Sequence, residues 1–150
     1  MNWGLIGIGA AIALAATGSA LGTGTAGMAA VGAWKKCYAQ NRPAPFILVA
    51  FVGFPLSQTI YGYLVMNRLT QAALVGGADA AYLLGAGILG GLAIGMSAWF
   101  QGRAAAAASD SMGETGKGTG NYIFVLGIIE TVALFTMVFL FLITPQFETL

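Results

Sequence analysis

The 150-residue chain contains no histidine and a single cysteine, Cys37. Without histidine, every His-based acid–base or metal scheme is excluded. One cysteine closes no intrachain disulfide and forms no CxxC or Cys/His cluster. Charge is nearly as scarce. Only 7% of residues carry one, against about a quarter in a soluble domain, and a net charge of +1 offers no basic face for nucleic acid. What is abundant is apolar and small: 58% hydrophobic residues and 23 glycines. This is the composition of an integral membrane protein. The first run, MNWGLIGIGAAIAL, has no basic stretch ahead of it and is expected to be a retained helix, not a cleaved signal peptide.

A spanning helix needs about 20 mostly apolar residues. Four segments qualify, at roughly 4–34, 45–67, 80–108 and 121–143. The expected fold class is therefore an all-α membrane protein whose four transmembrane helices form two tandem hairpins, residues 1–75 and 76–150. The first and third spans exceed the bilayer and are expected to project beyond it. Lys35, Lys36, Arg42, Arg103 and Lys117 fall at or near the first and third connections, and only Arg68 at the second. By the positive-inside rule the first and third loops are cytoplasmic and both termini face outward.

The two halves resemble each other. LIGIGAAIALAATGSALG (5–22) aligns with LLGAGILGGLAIGMSAWF (83–100) at an offset of 78, keeping Gly7/Gly85, Gly9/Gly87, Leu14/Leu92 and Ser19/Ser97 in register. PLSQTIYGY (55–63) aligns with GIIETVALF (127–135) at an offset of 72. A duplicated hairpin, the second copy parallel to the first, accounts for both. The first span also carries two rows of small residues, Gly18, Gly22, Ala26 and Ala30 beside Gly7, Ala11, Ala15 and Ser19. Such rows let membrane helices approach closely. Two of them exceed what one four-helix chain needs, so tight oligomerisation into a ring is expected.

Two motifs mislead. GTGTAG (22–27) matches the dinucleotide fingerprint GxGxxG but lies mid-span, without the strand–turn–helix setting in which those glycines meet pyrophosphate. GETGKGTG (113–120) imitates a phosphate loop, yet has Ser111 and Gly118 where glycine and Ser/Thr are required. It reads as a flexible loop.

The chemistry converges on Glu130, the one charged residue between Tyr122 and Ile143. An acid at the bilayer centre costs roughly 2.5–3.5 kcal/mol and is a functional residue by default. It lies nine residues after Asn121, about 13 Å into its helix. Gln101, Ser57, Gln58 and Thr23 fall at similar depth on the other three spans. Phe54, Ser57, Gln58 and Tyr61 follow the i, i+3, i+4, i+7 pattern of one helix face. Pro55 removes a backbone donor and loosens nearby carbonyls. In the repeat alignment Gln58 stands where Glu130 does. Proton carriage needs only the carboxylate. A dehydrated alkali cation needs several oxygens, and a backbone carbonyl, a hydroxyl, two amides and a carboxylate supply them. The plainer reading is a hydrogen-bonded lock of Gln58, Gln101 and Glu130, at about 0.6 kcal/mol per bond. Neutral glutamines would serve that purpose without an acid.

With PLSQTIYGY, WFQGRAAAAAS and GIIETVALF set on a double hairpin with a Gly-rich first helix, the chain resembles the proteolipid (K, or c-type) subunit of bacterial sodium-pumping V-type rotary ATPases. The resemblance implies a rotor-ring subunit in the bacterial plasma membrane, with helices 1 and 3 inside and 2 and 4 outside. It is not itself catalytic, since ATP is handled by other subunits. Glu130 would carry Na+, with H+ as the alternative. Gln58 and Gln101 would be amide ligands, Ser57 the hydroxyl ligand, Phe54 a backbone-carbonyl ligand, and Tyr61 the residue whose hydrogen bond to Glu130 closes the site. The implied partners are further copies in a ring, membrane lipid, a stator subunit presenting an arginine, and central-stalk subunits at the loops 35–45 and 109–121. The family often has Leu at the Phe54 position and proline at the Gly127 position. A small four-helix multidrug antiporter is the rival from another class, but its acid lies in the first helix, where this chain has none. A purely structural membrane protein, the third reading, would tolerate Glu130→Gln.

Overall fold

The computed structural model describes residues 3–75 and 77–145. Its helices are α1 (Trp3–Ala39), α2 (Leu48–Gly53), α3 (Ser57–Leu74), α4 (Ala80–Thr115) and α5 (Thr119–Ile143). A 3-10 turn, Phe54–Leu56, joins α2 to α3, so that the two run on as one span. Four spans long and apolar enough to cross a bilayer thus stand among the described residues, in keeping with the all-α membrane fold expected from composition. The boundary expected between residues 75 and 76 falls at Gly76, outside the described residues.

The spans are longer than hydropathy suggests. α1 continues to Ala39, α3 to Leu74 and α4 to Thr115. At 1.5 Å per residue α1 and α4 are about 55 Å long, well beyond the roughly 30 Å of hydrocarbon. Their charged residues Lys35, Lys36, Asp110 and Glu114 gather toward the C-terminal ends of the two helices. Real breakers end them. α1 gives way to Asn41, whose φ of 52 is left-handed, ahead of two prolines. α4 stops at Gly116, whose φ of 65 lets its N–H reach the Met112 carbonyl. The segment expected as a loop from 109 is therefore helical to Thr115, and the connection shrinks to residues 116–118. Asp79 caps the start of α4, accepting from the Tyr82 N–H at 2.7 Å.

α1 and α4 pack side by side and parallel. A Cβ added to Gly18 would fall 1.9 Å from the Gly95 carbonyl oxygen, and one on Gly102 would fall 2.1 Å from that of Gly22. No side chain fits there, so the backbones themselves are in contact. Gly7 meets Leu83 and Gly87 in the same way, so the offset of 78 seen in the sequence is also the packing register. The buried stripe of α1 runs Gly7, Ala11, Ala15, Gly18, Gly22, Ala26, Ala30, Ala33, Cys37. Steps of four, broken by an occasional three, average more than a helical turn and give the stripe a right-handed drift. Both small-residue rows are buried within one chain, against α4 and the second span, so the rows by themselves say nothing of a second copy. GTGTAG is part of the same contact, with Gly22 against the Ala98 backbone.

Arginines of the first hairpin tie down the second. Arg42 donates to the carbonyls of Gly113 (2.9 Å) and Glu114 (3.2 Å), the free carbonyls at the end of α4. Lys36 pairs with the Glu114 carboxylate. At the other face Arg68 donates to the Thr144 carbonyl at 3.1 Å, just past α5. Cys37 is buried, its sulfur 3.6 Å from the Gly113 carbonyl.

Candidate ion-binding site

The second span does not pass its midpoint as a regular helix. Pro55 has no N–H to give the carbonyl four residues earlier, and the chain tightens into the 3-10 turn Phe54–Leu56 at that point. The tightening turns the Phe54 carbonyl toward Ser57, whose backbone N–H it accepts. The Ser57 hydroxyl lies 3.0 Å from the same carbonyl and 3.1 Å from Oε1 of Gln58. One hydroxyl proton serves one acceptor at a time. Three oxygens are thus gathered around a single hydroxyl proton, with the Phe54 carbonyl also accepting the Ser57 N–H.

Across the helix boundary, Gln58 Nε2 donates to Gln101 Oε1 at 2.8 Å, and Gln101 Nε2 donates to the Leu126 carbonyl at 2.8 Å. Both glutamines are fully buried, at 0% exposure. The Leu126 carbonyl can only accept, which sets the direction of the whole chain. Gln101 must point its nitrogen at Leu126 and its oxygen at Gln58. Gln58 must then point its nitrogen at Gln101 and its oxygen at Ser57. A backbone carbonyl on α5 therefore determines that an amide oxygen faces the Ser57–Phe54 cluster.

Glu130 stands outside this chain. Among the described residues its hydrogen bond is to Tyr61, whose hydroxyl donates to Oε1 at 2.7 Å. Glu130 is half-buried, where the glutamines are sealed. The amides bond to each other and to α5, and the carboxylate accepts from Tyr61 on the second span. No group of three or more His, Cys, Asp or Glu is found among the described residues, so any cation held here must be met by amide, hydroxyl and carbonyl oxygens with one acid.

Every residue singled out from the sequence is accounted for. Phe54, Ser57 and Gln58 are adjacent; Gln101 is bonded to Gln58; Tyr61 is bonded to Glu130. Thr23 belongs to the layer by depth but joins no bond, its buried hydroxyl being without a partner among the described residues. Two contributors escaped sequence reading. Ser97 donates to the Ile129 carbonyl at 2.9 Å, and Leu126 enters through its backbone alone. Ser97 lies one turn from Gln101 on the same face, which was the available signal.

A comparison with curated proteins finds no match. Residues 84–143 match the family model of the ATP synthase C subunit. The stretch matched holds Ser97, Gln101, Leu126 and Glu130 together, so the second hairpin is similar to that c-type proteolipid family.

Proposed function

We propose that the whole chain is a duplicated c-type proteolipid that works as the rotor-ring subunit of a bacterial V-type ATPase and carries Na+ on Glu130. The observation that supports it best is the division of the polar layer. A hydrogen-bonded oxygen cluster (Phe54 O, Ser57 Oγ, Gln58 Oε1) and a carboxylate oriented by Tyr61 are held on facing helices. Sodium would be met by the Phe54 carbonyl, the Ser57 hydroxyl, the amide oxygens of Gln58 and Gln101, and Glu130. Oxygen donors of this kind suit a hard cation. Bound sodium cancels the charge on Glu130, so the loaded site can pass through lipid; the empty, charged one is held back by the insertion cost of an acid. A stator arginine would attract the carboxylate and release the ion. Carrying one charge across 100 mV is worth about 2.3 kcal/mol, and rotation transmits it to catalytic subunits through stalk contacts at the first and third loops. The basic residues around those loops favour the cytoplasm for them and the outside for both termini.

Labelling of Glu130 by a carboxyl-reactive carbodiimide in the detergent-solubilised assembly tests this reading. Millimolar sodium, at constant pH and ionic strength, is expected to protect Glu130. Labelling that follows pH and ignores sodium would make the ring proton-specific.

A further inference from the structure

α5 is the least embedded of the four spans. Of its 25 residues only Leu126 and Ala133 are buried, four before and three after Glu130. Its ends are tied down. The Tyr122 and Ser111 hydroxyls meet at 2.6 Å near the start of α5. Just past its end, the Thr144 carbonyl accepts from Arg68 and the Thr144 hydroxyl meets that of Tyr82. Between those ends, among the described residues, α5 is bonded to the other spans three times: Gln101 to the Leu126 carbonyl, Ser97 to the Ile129 carbonyl, and Tyr61 to Glu130. Ser97 and Gln101 are one turn apart on α4, and the carbonyls they hold are three residues apart on α5. Two donors on one helix face thus grip two acceptors on one turn of the next. Gly127, between those acceptors, adds no side chain to the contact, and the space where its Cβ would lie is open.

A serine or threonine hydroxyl inside a helix often returns its proton to the carbonyl four residues back, as Thr17, Thr25, Thr70 and Thr136 do here. Ser97 instead reaches α5 at 2.9 Å, while its repeat counterpart Ser19 reaches nothing among the described residues. The Ile129 carbonyl belongs to the peptide group whose nitrogen is that of Glu130. Holding it fixes the rotation of α5 at the acid itself. At the roughly 5–6 Å radius of a helix's side chains, a rotation of about 10° carries a carboxylate about 1 Å. A binding constellation has to be held to within about 0.5 Å of its productive geometry. We infer that Ser97 is a positioning residue of the ion site: its bond to Ile129 sets the rotation of α5 that brings Glu130 to the cation met by Phe54, Ser57, Gln58 and Gln101. This rests on the sodium reading proposed above. The bond can favour that rotation by no more than its own strength, which bounds the effect.

Protection of Glu130 from carbodiimide by sodium, in the full-length detergent-solubilised assembly at one pH and ionic strength, is the test. Ser97→Ala is expected to raise the sodium concentration giving half-protection about threefold, which corresponds to one interhelical bond of roughly 0.6 kcal/mol. Its labelling rate without sodium stays at the wild-type value, because the acid and its Tyr61 bond are untouched. Ser97→Thr keeps the hydroxyl and the wild-type midpoint. Ser19→Ala, which removes an unpartnered hydroxyl at the corresponding position of the first hairpin, leaves the midpoint in place too. A merely structural bond would lower thermal stability in Ser97→Ala and leave the sodium midpoint where it was; that result would overturn the proposal. So would a changed labelling rate without sodium, a Ser97→Thr midpoint as weak as that of Ser97→Ala, an equal shift in Ser19→Ala, or loss of the assembly in Ser97→Ala. Absence of sodium protection in the wild type is a separate outcome: it removes the sodium reading, and this proposal with it. Protection in the wild type together with any of the contrary results removes this proposal alone.

Discussion

The two hairpins share a plan and differ in what they do with it. Ser19 and Thr23 in the first correspond to Ser97 and Gln101 in the second, at the offset of 78 that also sets the α1–α4 packing. In the second hairpin both side chains reach across to backbone carbonyls of α5. In the first, both hydroxyls are buried without a partner among the described residues. On the second and fourth spans Gln58 corresponds to Glu130 and Tyr61 to Ala133. The first hairpin thus supplies neutral oxygens and a phenol, the second a carboxylate and the long amide that joins the halves. Two similar frames thus form one composite polar layer.

The comparison breaks most visibly if the acid is moved. Glu130→Gln is expected to abolish sodium-protected labelling and coupled transport, while the ring still assembles. Restoring an acid in the other hairpin, as Gln58→Glu with Glu130→Gln, is not expected to rescue transport. Position 58 is fully buried and bonded to Gln101, so a carboxylate there is sealed from any passing partner. Sodium flux in reconstituted vesicles checks both. Next in size is Tyr61→Phe, which removes a hydrogen bond to a charged group. Such bonds contribute about 1.5–3 kcal/mol, and apparent sodium affinity should weaken roughly tenfold with assembly unaffected. Smaller still is the contrast between Ser97→Ala and Ser19→Ala. The first loses the bond to Ile129, at about 0.6 kcal/mol in a membrane; the second removes an unpartnered hydroxyl and should be neutral or stabilising. Thermal unfolding of the two variants in detergent gives the difference.

The smallest effect concerns the joint between hairpins outside the bilayer. Lys36 beside Glu114 holds that carboxyl below its ordinary value of 4.5, chiefly through their hydrogen bond. A carboxyl lowered in the folded state contributes stability above its ordinary value and loses it as pH falls through the lowered one. Glu114 is fully exposed, so the contribution is small. Glu114→Gln should lower the melting temperature slightly near neutral pH and not at all in strong acid.

Much of this was legible from residue types because the bilayer punishes exceptions. Four apolar runs had to be spans, and an acid at residue 130 had to have company. Helical spacing alone put Phe54, Ser57, Gln58 and Tyr61 on one face. Span ends were less legible. Ser109, Asp110 and Glu114 look like a loop, yet polar residues do not end a helix; Gly116, with a left-handed φ, does. The small-residue rows were visible, but their partner was not, since a stripe of glycine shows that something approaches closely without showing what. The bonding order within the polar layer was hidden for a different reason. It is set by the Leu126 carbonyl, a backbone atom that every residue type carries equally.

The central claim is one cation per chain, held by both hairpins and dependent on one acid. Equilibrium binding of radioactive sodium to the purified assembly tests it most directly. The account predicts saturation at one sodium per chain, competed by protons and lost in Glu130→Gln. Sodium binding that never saturates, or that survives Glu130→Gln, would contradict it.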